Sequence, residues 1–349
     1  MAKRVGILTG GGDCPGLNAV IRAVVRKGDA LGWESLGILE GWRGLLENKV
    51  ERLDLARVSG ILYRGGTILR TSRTNPLKHP NGLDLIRENI ARNGMDALIA
   101  IGGDDTLRIA DLLFQQGVGV VGVPKTIDND LSGTDYCFGF DTAVNIATEA
   151  IDRLHTTAEA HQRILVVEVM GRDSGWIAVA SGMAGGADVI LIPERPVDIG
   201  QVCDLLRKRS ERGKDFSIVV VAEGVRLPAG DEEAGGVQIQ QSRIKDEFGH
   251  VQLGGVSSLL AREIEARTGF ETRVVILGHI QRGGTPTAFD RILATRFGVA
   301  AMTLAHQGDF GKMVVLRGKQ ITAVPLAEAA NSPRPVDPEL YETASVFFG

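Results

Sequence analysis

Ala97-Leu98-Ile99-Ala100-Ile101-Gly102-Gly103-Asp104-Asp105-Thr106 is an apolar run cut short by glycines, carboxylates and a hydroxyl. A helical segment follows, then a second apolar run over residues 118–123 that ends in Pro124-Lys125-Thr126-Ile127-Asp128-Asn129-Asp130. Short runs without alternation read as strands buried on both faces, the habit of a parallel sheet covered by helices. Two neighbouring strands would thus each carry a polar cluster at the C-terminal end. Open α/β sheets bind ligands at that edge.

The residue types in the two clusters suggest phosphate chemistry. Gly102 and Gly103 leave room for backbone to approach an anion. Thr106 opens a helix, whose first amides and dipole favour phosphate. Asp104 suits a hard cation such as Mg2+, held by one carboxylate and phosphate oxygens. Asp128 and Asp130 are candidates for a general base on a substrate hydroxyl. Turn-forming Gly and Asp with a helix cap explain the same residues without a ligand.

Outward from this stretch, the chain keeps the same rhythm. Residues 5–8 read as a first strand, Thr9-Gly10-Gly11-Gly12-Asp13-Cys14-Pro15-Gly16 as a glycine turn, and Leu17, Val20, Ile21, Val24 and Val25 as one face of a helix. The turn matches neither the dinucleotide fingerprint nor a Walker A loop. Trp42 reads as the large aromatic of a surface loop, lining a pocket or capping an apolar edge. Residues 64–73 are basic and glycine-rich, with Arg73 suited to neutralising phosphate or simply solvated. Asp141 is a candidate helix cap. Arg163 precedes a strand over residues 164–169, which ends at Met170-Gly171-Arg172-Asp173-Ser174-Gly175. A strand ending at Glu223 and another running from Arg273 into Gly278-His279-Ile280-Gln281-Arg282-Gly283-Gly284 complete the set. Residues 228–241, rich in Gly, Asp, Glu and Gln, read as a mobile surface loop. Residues 332–338 read as an extended surface arm.

The 349-residue length suits about two domains. A formal net charge of -4 argues against a nucleic-acid binder held by a basic field. Three cysteines without metal-ligand spacing point to reduced thiols and a cytoplasmic location. No stretch approaches the length of a membrane span. The fold class expected is α/β, two doubly wound Rossmann-like domains with the active site in the cleft between them. The expected division is residues 1–138 plus about 252–305 as one domain, about 139–251 plus 306–325 as the other, and 326–349 as a C-terminal tail.

Six motifs, in order, resemble the 6-phosphofructokinases: Gly10 through Asn18, Gly65-Gly66-Thr67, Gly102-Gly103-Asp104, Thr126 through Asp130, Met170-Gly171-Arg172, and Gly278 through Gly284. The resemblance covers about residues 4 to 310. It implies phosphoryl transfer to the 1-hydroxyl of fructose 6-phosphate, a glycolytic step. By that likeness Asp128 takes the hydroxyl proton, with Thr126 and Asp130 beside it. Arg172 and Arg73 stabilise the transferring group, Asp104 holds Mg2+, and the backbone at Gly12 meets the donor. Met170, Gly171, Glu223, His279 and Arg282 bind the sugar phosphate. Arg163 and Arg273 reach it from a neighbouring subunit, so a homodimer or homotetramer with shared sites is implied.

Donor choice turns on two departures. ATP-using bacterial members look like Gly-Gly-Asp-Gly and Pro-Gly-Thr-Ile-Asp-Asn-Asp, whereas this chain has Asp105 and Lys125. The pair is similar to the pyrophosphate-dependent branch. A carboxylate at position 105 adds bulk and negative charge where the innermost phosphate of ATP would lie, and the Lys125 ammonium suits a short, highly charged donor. An ATP-dependent member is the nearest alternative, and a silent regulatory or sensor homologue is a more distant one. Sedoheptulose 7-phosphate is a conceivable second acceptor. Intact Asp104, Asp128 and Arg172 oppose a silent homologue.

Overall fold

The structure, a computed structural model, describes residues 2–228, 237–330 and 333–349. β1 (Arg4–Thr9), β2 (Glu34–Ile38), β3 (Val50–Leu53), β4 (Ala97–Gly102) and β5 (Val120–Pro124) are interleaved with α1 (Leu17–Ala30), α2 (Trp42–Leu46), α3 (Gly82–Arg92) and α4 (Asp104–Gln115). α5 (Phe140–His161) then leads to β6 (Ile164–Val169), α6 (Trp176–Ala184), β7 (Val189–Leu191), α7 (Ile199–Glu211) and β8 (Ser217–Ala222). Two small antiparallel pairs come next, β9 (Arg226–Leu227) with β10 (Val237–Gln238) and β11 (Gln240–Lys245) with β12 (Val251–Leu253). α8 (Val256–Thr268), β13 (Thr272–Ile276), a 3-10 turn (Gly278–Arg282), α9 (Ala288–Gln307), β14 (Lys312–Arg317), β15 (Gln320–Pro325) and α10 (Pro338–Ser345) complete the order.

Two sheets organise these elements. The seven-stranded sheet runs β15-β14-β5-β4-β1-β2-β3, and the four-stranded sheet runs β13-β6-β8-β7. The first is parallel through its middle and antiparallel at both edges, where β3 and β15 pair; the second is parallel throughout. β4, β5, β6 and β8 are buried at every position, as their unbroken apolar runs require. β1 lies between β2 and β4, so the chain reverses its direction of travel across the sheet there. The turns after β1 and β4 therefore open into one crevice.

The returning segments differ from the expected division. β13 pairs with β6, so residues 272–276 belong to the second sheet, while β14 and β15 join the first sheet beside β5. α9 packs on α1, and only this part of residues 252–305 lies with the first sheet, as expected. The chain thus passes between the sheets three times: into α5, into α9, and from β15 to α10, which packs on α6 and β7. A strand's own residues state that it will be buried but not which neighbour it will pair with.

Three local expectations also change. Trp42 begins a short helix and is 2 % exposed, so it belongs to the core and not to a surface loop, though it does line a pocket, the smaller of the two cavities described below. Gly139 in a left-handed conformation occupies the position before α5; Asp141 lies inside the first turn and accepts a hydrogen bond from Thr287 Oγ1. Within the stretch read as a mobile loop, residues 229–236 lie outside the described residues; it follows β9, and its far end forms β10 and opens β11. Among the described residues no helix is long and apolar enough to cross a membrane.

Candidate active site

The Gly-rich turns after β1 and β4 are shaped first by packing. Thr106 is buried, and a Cβ on Gly10 or Gly102 would stand 2.5 or 2.3 Å from its side chain. These glycines admit the Thr106 side chain, which packs against them and also lines the smaller of the two cavities described next. α4 starts after Gly103 with Asp104 and Asp105 in its first turn, where carboxylates complement the helix dipole.

Two cavities meet at the facing C-terminal edges of the sheets. The smaller, about 140 Å3, includes Gly12, Asp104, Asp105, Lys125, Thr126 and Asp130 in its lining. The larger, about 590 Å3, includes Met170, Glu223, His279 and Ile276. Arg73, Asp128, Arg172, Arg282, Asp246 and His250 line both. Asp128 with three guanidinium groups therefore occupies the junction, a place from which a group in one cavity can be passed to the other.

The loop carrying Asp128 is held by its carbonyl oxygens. Ser174 Oγ donates to Asp128 O at 3.2 Å, Arg334 Nη2 and Nε donate to Asn129 O at 3.0 and 3.3 Å, and the Arg334 amide donates to Asp130 O at 2.7 Å. Asn129 has φ 54°, and its Oδ1 accepts from the Cys137 amide at 2.9 Å. The Arg334 guanidinium stacks on Trp176, 4.5 Å from the ring centroid, and Trp176 Nε1 donates to Arg334 O. The C-terminal segment, expected as an extended surface arm, runs extended and largely exposed, and through Arg334 it also braces the loop from behind.

The charges of this site are set by its recess. Burial pushes the Asp128 carboxyl above the usual range, with Arg282 and Arg172 pulling it back. Burial and then Asp128 push both Asp130 and Glu223 up to about 7. Asp104 is open to the smaller cavity but recessed from bulk solvent; that recess and neighbouring Asp105 raise its pKa. Burial lowers the pKa of Lys125, whose Nζ donates to Gly12 O at 2.5 Å. Asp128 Oδ1 is buried and has no hydrogen-bond partner among the described residues.

Arg282 ties the two halves together. It leaves the turn after β13 and donates from Nη1 to Asp13 O at 3.2 Å. A Cβ on Gly12 would lie 2.8 Å from that same Nη1, so Gly12 is the residue that lets the guanidinium cross. Arg73 pairs with Asp246 at 3.2 Å. Thr126 and Asp130, expected beside the sugar, line only the smaller cavity; Gly171 lines neither and makes the turn at φ 135°. Arg163 and Arg273 lie outside both cavities, at the opposite ends of β6 and β13, each paired with Glu271.

Sequence reading missed the hairpin residues Asp246, Phe248 and His250 and the brace residues Arg334 and Trp176. The hairpin is polar, and its register slips twice between β11 and β12, which erases the alternation that marks a strand.

A single carboxylate open to a recessed chamber, beside a second one, fits Mg2+ completed by phosphate oxygens. Among the described residues no group of three or more His, Cys, Asp or Glu side chains is placed to hold a metal by itself.

A family model described as Phosphofructokinase matches residues 4–305. The pyrophosphate–fructose 6-phosphate 1-phosphotransferase of Amycolatopsis methanolica is 60% identical, over 99% of this chain and 100% of its own. The ATP-dependent 6-phosphofructokinase of Mycobacterium leprae is 52% identical, over 99% and 100%. Among solved structures, the phosphofructokinase of Saccharomyces cerevisiae superposes with a TM-score of 0.81 at 33% identity, covering 94% of this chain and 45% of the longer yeast chain.

Proposed function

The chain belongs to the phosphofructokinase family, and from that premise we propose that it transfers a phosphoryl group from pyrophosphate to the 1-hydroxyl of fructose 6-phosphate. The products are fructose 1,6-bisphosphate and phosphate, and the reaction runs in both directions.

In this reading the smaller cavity takes the donor and the larger one the sugar phosphate. Asp128 Oδ1, buried and unpartnered among the described residues, accepts the proton of the 1-hydroxyl. The hydroxyl oxygen bonds to the terminal phosphorus as the bond from phosphorus to the bridging oxygen breaks, and phosphate leaves. Arg172 and Arg282, both facing Asp128, stabilise charge on the moving group. Asp104 would hold Mg2+ with phosphate oxygens, and the ion when bound neutralises donor charge. Met170, Glu223 and His279 would bind the sugar phosphate. Arg163 and Arg273, on the far edge of the second sheet, would serve the sugar site of a neighbouring subunit in a homo-oligomer. The setting is cytoplasmic, in keeping with three free, buried cysteines.

The observation that carries the donor choice is Asp105, in the first turn of α4 and inside the smaller cavity. The test is a coupled assay of fructose 6-phosphate with Mg-pyrophosphate and with Mg-ATP. Higher kcat/KM with pyrophosphate is expected; higher kcat/KM with ATP would overturn the donor choice.

A further inference from the structure

Asp105 presents a problem of charge. It adds a second carboxylate beside Asp104 in the chamber that is to receive a polyanion. Two like unit charges about 4 Å apart repel by roughly 4 kcal/mol at the effective dielectric of a protein surface. Bulk at position 105 would exclude a nucleotide, but an uncompensated charge there would also weaken the short donor.

The hairpin of β11 and β12 supplies the compensation. His250 Nε2 lies 2.9 Å from Asp105 Oδ2, with the two side chains 36% and 28% exposed. The His250 amide is fixed by Asp246 Oδ1 at 2.9 Å, and Asp246 pairs through its other oxygen with Arg73. Glu247 accepts from the Asn75 amide at 2.7 Å, which pins the hairpin to the loop after Arg73. His250 is thus presented to Asp105 by a latch that spans both walls of the donor chamber.

Building on the donor reading, we propose that His250 is a positioning residue for donor selection, its imidazolium holding the Asp105 carboxylate as an electrically neutral plug. The chamber then rejects a nucleotide by shape and still admits pyrophosphate. The charged groups facing His250 are Asp104 and Asp105 from α4, Arg172 from the turn after β6, and Asp246 from its own hairpin. Arg73 acts through Asp246, and Lys125, just after β5, faces Asp104. The hydrogen bond to Asp105 is the largest influence on His250 and lifts its pKa above the usual 6.5.

The test compares KM for Mg-pyrophosphate and kcat at one pH in the natural protein, His250→Gln, Asp105→Asn and the double variant. His250→Gln should raise KM about three- to tenfold, a partly exposed charged hydrogen bond being worth about 1 kcal/mol, with kcat changed less than about twofold. Asp105→Asn should keep a low KM and should restore a low KM to His250→Gln. Asp105→Asn should still reject ATP, since it keeps the bulk. Should His250→Gln fail to fold, His250→Asn in the same two backgrounds decides the matter. Pyrophosphate preference with KM unchanged by loss of His250, or raised as much in the Asp105→Asn background as in the natural one, would overturn the role of His250 and leave the donor reading standing. ATP preference in the natural protein would remove both.

Discussion

Replacing Arg334 by Ala tests whether the brace behind the catalytic loop matters to the reaction. The guanidinium makes two hydrogen bonds to Asn129 O, at 3.0 and 3.3 Å, and stacks on Trp176. A charged hydrogen bond contributes about 1.5–3 kcal/mol and a partly desolvated stack on an indole about 0.5–2, so truncation removes on the order of 2–4 kcal/mol from this corner. Asn129 sits at φ 54°, which costs on the order of 1 kcal/mol even for Asn and persists only while its surroundings impose it. The backbone bond from the Arg334 amide to Asp130 O survives the substitution, so the loop should loosen without leaving. Displacement of a reacting group by about 1 Å costs on the order of a hundredfold in rate. Arg334→Ala should therefore lower kcat about 10- to 100-fold, at about 1.4 kcal/mol per factor of ten. KM for fructose 6-phosphate should move far less, because Arg334 lines neither cavity. Arg334→Lys, which keeps the charge but not the fork, should fall between. The assay is the coupled forward reaction, with circular dichroism and a thermal melt to follow the fold. A folded Arg334→Ala protein with kcat within about twofold of the natural one would refute the positioning role.

Other outcomes follow from the same geometry. Asp128→Asn removes the carboxylate proposed to accept the hydroxyl proton and should cut kcat by about 10²- to 10⁴-fold, read in the same assay. Gly12→Ala puts a Cβ 2.8 Å from Arg282 Nη1, so it should raise KM for both substrates; unaltered kinetics would deny that Arg282 needs that passage. Glu223, raised to about 7 from 4.5, binds its proton more tightly folded than unfolded. Its contribution is fully present below pH 4.5 and is lost as pH climbs through 7, so the melting temperature of the substrate-free protein should fall across that window, and less steeply in Glu223→Gln. Mixing inactive Asp128→Asn with Arg273→Ala should restore activity if subunits exchange and share sites; no recovery after co-refolding would count against a shared site.

What could be read from sequence had local causes. β4 and β5 announced themselves because burial on both faces leaves an unbroken apolar run, and the polar residues after them stand where the sheet opens. Asp104, Asp105, Lys125 and Asp128 came together because their two strands are neighbours in register. Where a side chain's role depended on a distant partner, sequence was mute. Thr106 reads from sequence as a phosphate contact alone, with no sign that Gly10 and Gly102 close on its side chain at the cavity wall. β14 is as apolar as any core strand, yet nothing in Met313-Val314-Val315-Leu316 names β5 as its neighbour. Arg334 meets Asn129 across 205 positions and His250 meets Asp105 across 145, with no period or motif joining either pair.

The return of β14 to the first sheet also governs how this molecule can be divided. A fragment ending at residue 138 would keep β1 to β5 but strip β14 from the flank of β5, baring the backbone of Val120-Val121-Gly122-Val123. Such an apolar margin invites pairing with its own copies, so the fragment should precipitate instead of folding. Donor-side and sugar-side halves would have to be inherited, recombined or engineered as one indivisible unit.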